Sequence, residues 1–181
     1  MTKGEMTVRK IYLPRYVIEV TGSGYDPKGE FVLDGKAINP LSIHGLKLVL
    51  LACALNNDAE LEKLNSQWVV KGDPTEAALL VLARKAGLKA EVNREYPRIS
   101  EIPFSSERKR MTTYHKTPEG RVIAFIKGAP EVVLSLSDRI LIDSEVRELT
   151  ERDREEIIKR VETFASQGLR NLAFAYKEVK E

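Results

Sequence analysis

Apolar positions recur along this chain at two spacings, and each spacing predicts a kind of element. A repeat of three and four residues predicts a helix that buries one stripe, and alternation predicts a half-buried strand. The helical repeat runs from Pro40 to Asn56, with Leu46, Val49, Leu50, Cys53 and Ala54 on one stripe and Asn56-Asn57-Asp58 as its stop. It returns from about Pro74 to Ala86. There Asp73 is placed as the cap, Pro74 at the first helical position and Glu76 three residues after the cap; Ala77, Leu80 and Val81 continue inward as far as Gly87. Pro130 to Leu136 predicts a short helix opening on Gly128-Ala129-Pro130-Glu131. Thr150 caps a last helix with early acids Glu151, Asp153, Glu155 and Glu156, inward Ile157, Val161 and Phe164, and Gly168 as its stop.

Between these helices lie the strand signals. Met6 to Val20 is rich in Val, Ile and Tyr and broken by Pro14, which predicts one long or two short strands near a sheet edge. Thr21 to Gly29 is turn chemistry; Gly22-Ser23-Gly24 lacks the third glycine and the following helix of a dinucleotide fingerprint. Phe31-Val32-Leu33 enters a tight Asp34-Gly35 turn, and Trp68-Val69-Val70 reads as a strand. Glu91 to Arg98 is polar loop. Ile99 to Phe104 then opens a sheet that continues from Met111 through the Thr117-Pro118-Glu119-Gly120 turn to Lys127. Ile140 to Ile142 adds a strand, and Leu169 to Tyr176 closes the chain with Arg170, Leu172, Phe174 and Tyr176 on one face. Strands and helices mixed in this irregular order predict an α+β fold.

Composition narrows the function classes. The chain has 181 residues, 43% apolar and 31% charged, enough for one well-buried core, so one domain over 1–181 is the expectation. Its formal charge of +2 is evenly mixed and implies neither a nucleic-acid nor a membrane-surface partner, so any anion site must be local. One cysteine, Cys53, excludes a disulfide framework, and its place in a helical stripe marks it as core. His44 and His115 are the two histidines, and His44 has no second histidine at a metal-ligand spacing. No catalytic residue and no metal-ligand set is expected. A Gly-Lys-Ser/Thr phosphate loop, a nucleophile elbow and a His-Glu-x-x-His motif are all missing, and the longest apolar run, Leu48 to Leu55, is too short to span a membrane.

The candidate chemistry lies between Pro103 and Pro130. Phe104 at one strand end, Lys109 just after it and Lys127 at the end of the partner strand place a stacking platform beside two cations, which suits a flat base carrying phosphates. A five-residue loop over 116–120 sets Lys109 opposite Lys127, and a four-residue loop sets Arg110 there. Either register brings like charges together, a cost that a bound polyanion relieves. The plainer reading, a solvated basic edge of Arg108, Lys109 and Arg110 that deters aggregation, stays open. Arg170 stands as a third cation at the rim of an apolar surface, and Glu76 is a nearby candidate carboxylate that helix capping also explains. An interaction module that uses the basic hairpin against an acidic partner is the alternative.

Taken together, Lys71-Gly72-Asp73-Pro74-Thr75-Glu76-Ala77-Ala78-Leu79, Pro103-Phe104 to Met111, Lys127-Gly128-Ala129-Pro130-Glu131 and Gly168-Leu169-Arg170 resemble, in order and gaps, the nucleotide-binding (N) domain of a cation-transporting P-type ATPase. Tyr25-Asp26-Pro27-Lys28-Gly29-Glu30 and Cys53-Ala54-Leu55-Asn56-Asn57-Asp58 are most similar to the type II, calcium-pump-like members. Thr2 to Val8 resembles the segment just after the phosphorylated-aspartate motif of those pumps. The resemblance implies an antiparallel sheet of about six or seven strands with helices on both sides. It also implies a domain excised from a larger membrane pump, with residues 1–8 and 177–181 as linker remnants toward the phosphorylation domain. The implied ligand is ATP. Phe104 would stack on adenine, Glu76 accept from its amino group, Lys127 line the base of the pocket, Lys109 meet phosphate and Arg170 reach phosphates or ribose, with Thr75, Gly128 and Leu172 completing the walls. Ser106 departs from many animal calcium pumps, which carry arginine there. The further implied partners are the phosphorylation and actuator domains of the same pump, with no nucleic acid and no direct membrane contact by this cytoplasmic domain. Magnesium would be needed by the parent pump and not bound by this domain, which on its own would not hydrolyse ATP.

Overall fold

The computed structural model describes residues 5–179. They fall into two compact units, one within Met1–Arg94 and one within Glu95–Glu181. All strand pairing among the described residues is antiparallel.

The first unit opens with β1 (Lys10–Leu13) and β2 (Tyr16–Val20), the two short strands allowed by Pro14. Pro14 and Arg15 form the two-residue connection, and Arg15 takes a left-handed φ of 76°. β3 (Phe31–Leu33) and β4 (Lys36–Ile38) follow, joined by Asp34 and Gly35, both at positive φ as a primed hairpin turn requires. The four strands form one sheet in the order β1-β2-β3-β4, so β1 is an edge. A short 3₁₀ turn, Pro40–Ser42, capped by Asn39, leads into α1 (His44–Leu55). Leu46, Leu50 and Cys53 of the predicted stripe are buried. The last turn of α1 is buried all round, through Leu51, Ala52, Ala54 and Leu55. β5 (Glu60–Leu64) and β6 (Gln67–Lys71) make a separate hairpin, and α2 (Pro74–Lys85) packs against α1 with Ala77, Leu80 and Val81 inward. The one-turn helix α3 (Val92–Glu95) replaces part of the expected loop.

The second unit is built on β7 (Arg98–Ile102), β8 (Arg110–Lys116), β9 (Val122–Gly128) and β12 (Ala173–Val179), in the order β12-β9-β8-β7. α4 (Pro130–Ser135) follows β9 directly, and β10 (Arg139–Ile142) pairs with β11 (Glu145–Glu148) as a second hairpin. α5 (Glu151–Ser166) starts in a complete capping box of Thr150 and Asp153. Arg147 grips Asp153 with two nitrogens, at 2.6 and 2.9 Å, and holds its carboxyl well below the usual carboxylate range. Phe164 is the buried anchor of α5, with Ile157 and Val161 half-buried.

The chain is thus α+β and antiparallel, with its strands divided between two four-stranded sheets and two hairpins. Two sequence expectations need correction in detail. The β8–β9 connection is five residues long but spans 117–121, so Met111 lies opposite Lys127, in place of Lys109 or Arg110. The closing strand begins at Ala173, which leaves Arg170 and Leu172 ahead of it. Of the two segments expected as linkers, residues 1–4 and 180–181 lie outside the described residues, and Lys177 to Val179 are the last residues of β12.

Candidate functional site

Because the four strands of the second unit's sheet are antiparallel, one end of it collects the C-termini of β7 and β9 and the N-termini of β8 and β12. The pairs Ile102↔Thr112, Arg110↔Gly128 and Ala173↔Gly128 fix that end. Phe104 follows β7 by two residues, Lys109 precedes β8 by one, Lys127 and Gly128 finish β9, and Arg170 and Leu172 lead into β12. Six of the eight predicted site residues therefore meet at one sheet end.

Their environments differ. Phe104 is 62% exposed and leaves its ring open to contact from solvent. Lys109 and Arg170 are exposed as well. Lys127 is only 8% exposed and shares its face with Met111 and Phe174, its register partners. No pair of opposed cations forms. Instead, one buried lysine, one exposed ring and two exposed cations share this end of the sheet.

The Phe104 loop is tied down by its own residues. Ser105 accepts twice: its carbonyl from the Lys109 amide at 2.7 Å, its hydroxyl from the Arg108 amide at 3.1 Å. Arg108 Nη1 donates to the Pro103 carbonyl at 3.1 Å, and Arg110 Nη1 to the Arg108 carbonyl at 3.3 Å. Lys109 takes a left-handed φ of 55°, and its carbonyl accepts from the Ala129 amide at 3.1 Å. A Cβ at Gly128 would overlap that same carbonyl oxygen, so glycine is required for the approach of the two segments. The sequence offers Arg108 only as part of an open alternative, a solvated basic edge, and gives Ser105 no role. The serine three residues before an arginine amide, in a loop without a glycine, was the available signal.

Arg170 is held in a similar way. Gly168, at a φ of 79°, ends α5 with the Leu169 amide donating back to the Phe164 carbonyl at 3.0 Å. The Asn171 side chain then donates to the Leu169 carbonyl at 3.2 Å, so that Arg170 is bracketed by fixed backbone.

Glu76 and Thr75 lie in the first unit, in the first turn of α2. Asp73 caps that turn by accepting from both of their amides, at 2.9 and 3.1 Å. The Glu76 carboxylate accepts from the Asp58 amide at 3.2 Å, and its main-chain carbonyl from the Asn57 side chain at 2.7 Å. The Thr75 hydroxyl contacts Met6 Sδ at 3.5 Å. The Gly22 turn is structural: Lys85 Nζ donates to the Thr21 carbonyl at 2.9 Å, and Arg9 to the Gly22 carbonyl at 3.2 Å.

The far end of the second unit's sheet is organised around His115, which is 1% exposed. Its Nδ1 lies 3.0 Å from the Tyr96 carbonyl, so that nitrogen carries the proton, and Nε2 accepts from the Thr113 hydroxyl at 2.8 Å. Burial pushes the imidazole below its ordinary pKa, with the Tyr96 hydrogen bond opposing and the charge of Arg98 adding to the shift.

An aromatic ring, exposed cations and a buried lysine at one sheet end fit a heteroaromatic base with a polyphosphate. A sequence profile for the family described as P-type ATPase, cytoplasmic domain N, matches residues 45–181. The chain belongs to that family. Among its relatives are a cation-transporting ATPase, pma1, of Synechocystis, 41% identical over 99% of this chain, and a calcium-transporting ATPase of Bacillus subtilis, 38% identical over 99%. A human calcium-transporting ATPase type 2C member 1 is 35% identical over 97%. The chain spans about a fifth of the length of these relatives. Membership in the N-domain family implies nucleotide binding. Among the described residues, no helix is long and apolar enough to cross a membrane.

Proposed function

We propose that this N domain binds ATP at the Phe104 end of the second unit's sheet and presents the terminal phosphate to an aspartate on a separate phosphorylation domain of a cation-transporting pump. The observation that carries the reading is the convergence of four strand ends on one exposed ring and its flanking cations. Phe104 offers its face to adenine, a contact worth about 1 to 3 kcal/mol per base. Lys109 and Arg170 meet phosphate or ribose oxygens, Lys127 and Leu172 line the base pocket, and Gly128 admits the backbone approach that sets Lys109.

The domain's share of the chemistry is positioning, since phosphoryl transfer depends on alignment and charge stabilisation. Magnesium bound elsewhere in the pump supplies neutralisation of the phosphate charge. The further partners of this reading are the actuator and phosphorylation domains of the same polypeptide, on the cytoplasmic side of the membrane. The 181-residue chain binds ATP without hydrolysing it. Calorimetry with ATP tests this: a dissociation constant of roughly 0.1 to 3 mM, about 4 to 5 kcal/mol, is expected. Steady phosphate release that copurifies with the chain, or acid-stable labelling by it, contradicts the reading.

A further inference from the structure

We infer that Arg108 is a positioning residue of the nucleotide site, bracing the loop on both sides of Phe104. The inference rests on the reading of that site given above. The Phe104 ring is 62% exposed, so little packing orients it and its direction is set by the main chain that carries it. That loop is tied at two points by one residue, once through its guanidinium and once through its amide. Arg108 Nη1 donates to the carbonyl of Pro103, just before Phe104, and the Arg108 amide donates to the hydroxyl of Ser105, just after it. Its own carbonyl is held in turn by Arg110 Nη1 at 3.3 Å. The Lys109 amide closes the loop on the Ser105 carbonyl, and the Lys109 carbonyl is anchored on Ala129. The Arg108 guanidinium therefore has work inside the loop. Held this way, the ring loses less freedom when a base stacks on it, and binding gains by the cost avoided.

A brace and a phosphate ligand leave different signatures, because adenosine has the base and no phosphates. Arg108→Ala should weaken ATP and adenosine by the same factor, about 3- to 10-fold. In a Phe104→Ala background it should weaken neither further, since the group being positioned is gone. Without nucleotide, amide exchange at Phe104 and Ser105 should rise in Arg108→Ala. Ser105→Ala removes the second tie and should show the same equal loss, which keeps the test available if Arg108→Ala folds poorly. Loss of ATP affinity alone, vanishing at high salt, overturns the inference and makes Arg108 a phosphate contact; unchanged affinity for both ligands overturns it as well. A parent chain that binds neither ligand defeats the site reading first, an outcome distinct from a parent that binds and a variant that binds equally.

Discussion

At the His115 end of the β12-β9-β8-β7 sheet, both imidazole nitrogens, the Thr117 hydroxyl and the Lys116 amide find partners inside the fold. The opposite end displays a large aromatic ring and two long cations to solvent. Both ends carry polar residues on the same strands, so strand pattern alone does not separate them. What separates them is where the hydrogen bonds go. At the far end they close on neighbouring backbone and hold the sheet together; at the near end the side-chain bonds of Ser105, Arg108 and Asn171 fix the loops while Phe104, Lys109 and Arg170 face outward. Substitutions at the first end should therefore cost stability, and substitutions at the second should cost binding.

The largest effect is expected from His115→Leu. It strips the half-buried Tyr96 carbonyl and the buried Thr113 hydroxyl of a partner, at about 1 to 3 kcal/mol each, and chemical denaturation should show that loss while ATP affinity of the folded protein stays the same. An affinity change as large as the stability change breaks the comparison. The same residue predicts a pH dependence. Its folded pKa lies below the unfolded value of about 6.5, so the unfolded chain takes up the proton first. The contribution is fully present above the unfolded pKa and is lost as pH falls from there through the lowered folded value. In His115→Leu that part of the slope should disappear.

Gly128→Ala comes next and tests the close approach itself. The added methyl must push the Lys109 carbonyl away, at about 1 to 3 kcal/mol of overpacking, and should weaken ATP binding because Lys109 moves with it. Unchanged melting and binding would mean the two segments are not in contact. Phe104→Ala should leave stability within about 0.5 kcal/mol, as expected for an exposed side chain, and cost about 1 to 3 kcal/mol of ATP binding by calorimetry. The smallest effect is a gain. Ser106→Arg adds paired donors beside the ring and should tighten ATP by about 0.2 to 1 kcal/mol at low salt, with adenosine unchanged. An equal gain for adenosine would mean that the base pocket had been reshaped.

The long helices were legible because each carries a cap and a period: Asp73 and Pro74 for α2, Thr150 and Asp153 for α5. The hairpins were legible where the turn chemistry was strong, as at Asp34-Gly35, and not elsewhere. β5 and β11 carry no readable strand signal, because Glu60–Leu64 and Glu145–Glu148 are polar strands of two-stranded hairpins with little to bury. The Asn65-Ser66 turn between β5 and β6 takes positive φ at both residues without a glycine to announce it. Register was the least legible quantity. Thr117 closes the β8–β9 turn onto Arg121, through its amide and its hydroxyl, so the loop starts one residue later than expected and Met111 takes the place opposite Lys127. The grouping of strand ends does not change with this shift. Strand ends, unlike side-chain pairs, do not depend on register, and the order of Phe104, Lys109, Lys127 and Arg170 along an antiparallel sheet brings them to one end in any register considered.

A nucleotide titration followed residue by residue by NMR tests the central claim most directly. The account predicts saturable shifts at Phe104, Lys109, Gly128 and Leu172, with an apparent dissociation constant of roughly 0.1 to 3 mM and no change at His115, Thr117 or Gly120. Saturable shifts centred on the His115 end, or none at the Phe104 end at ATP concentrations well above that range, would contradict it.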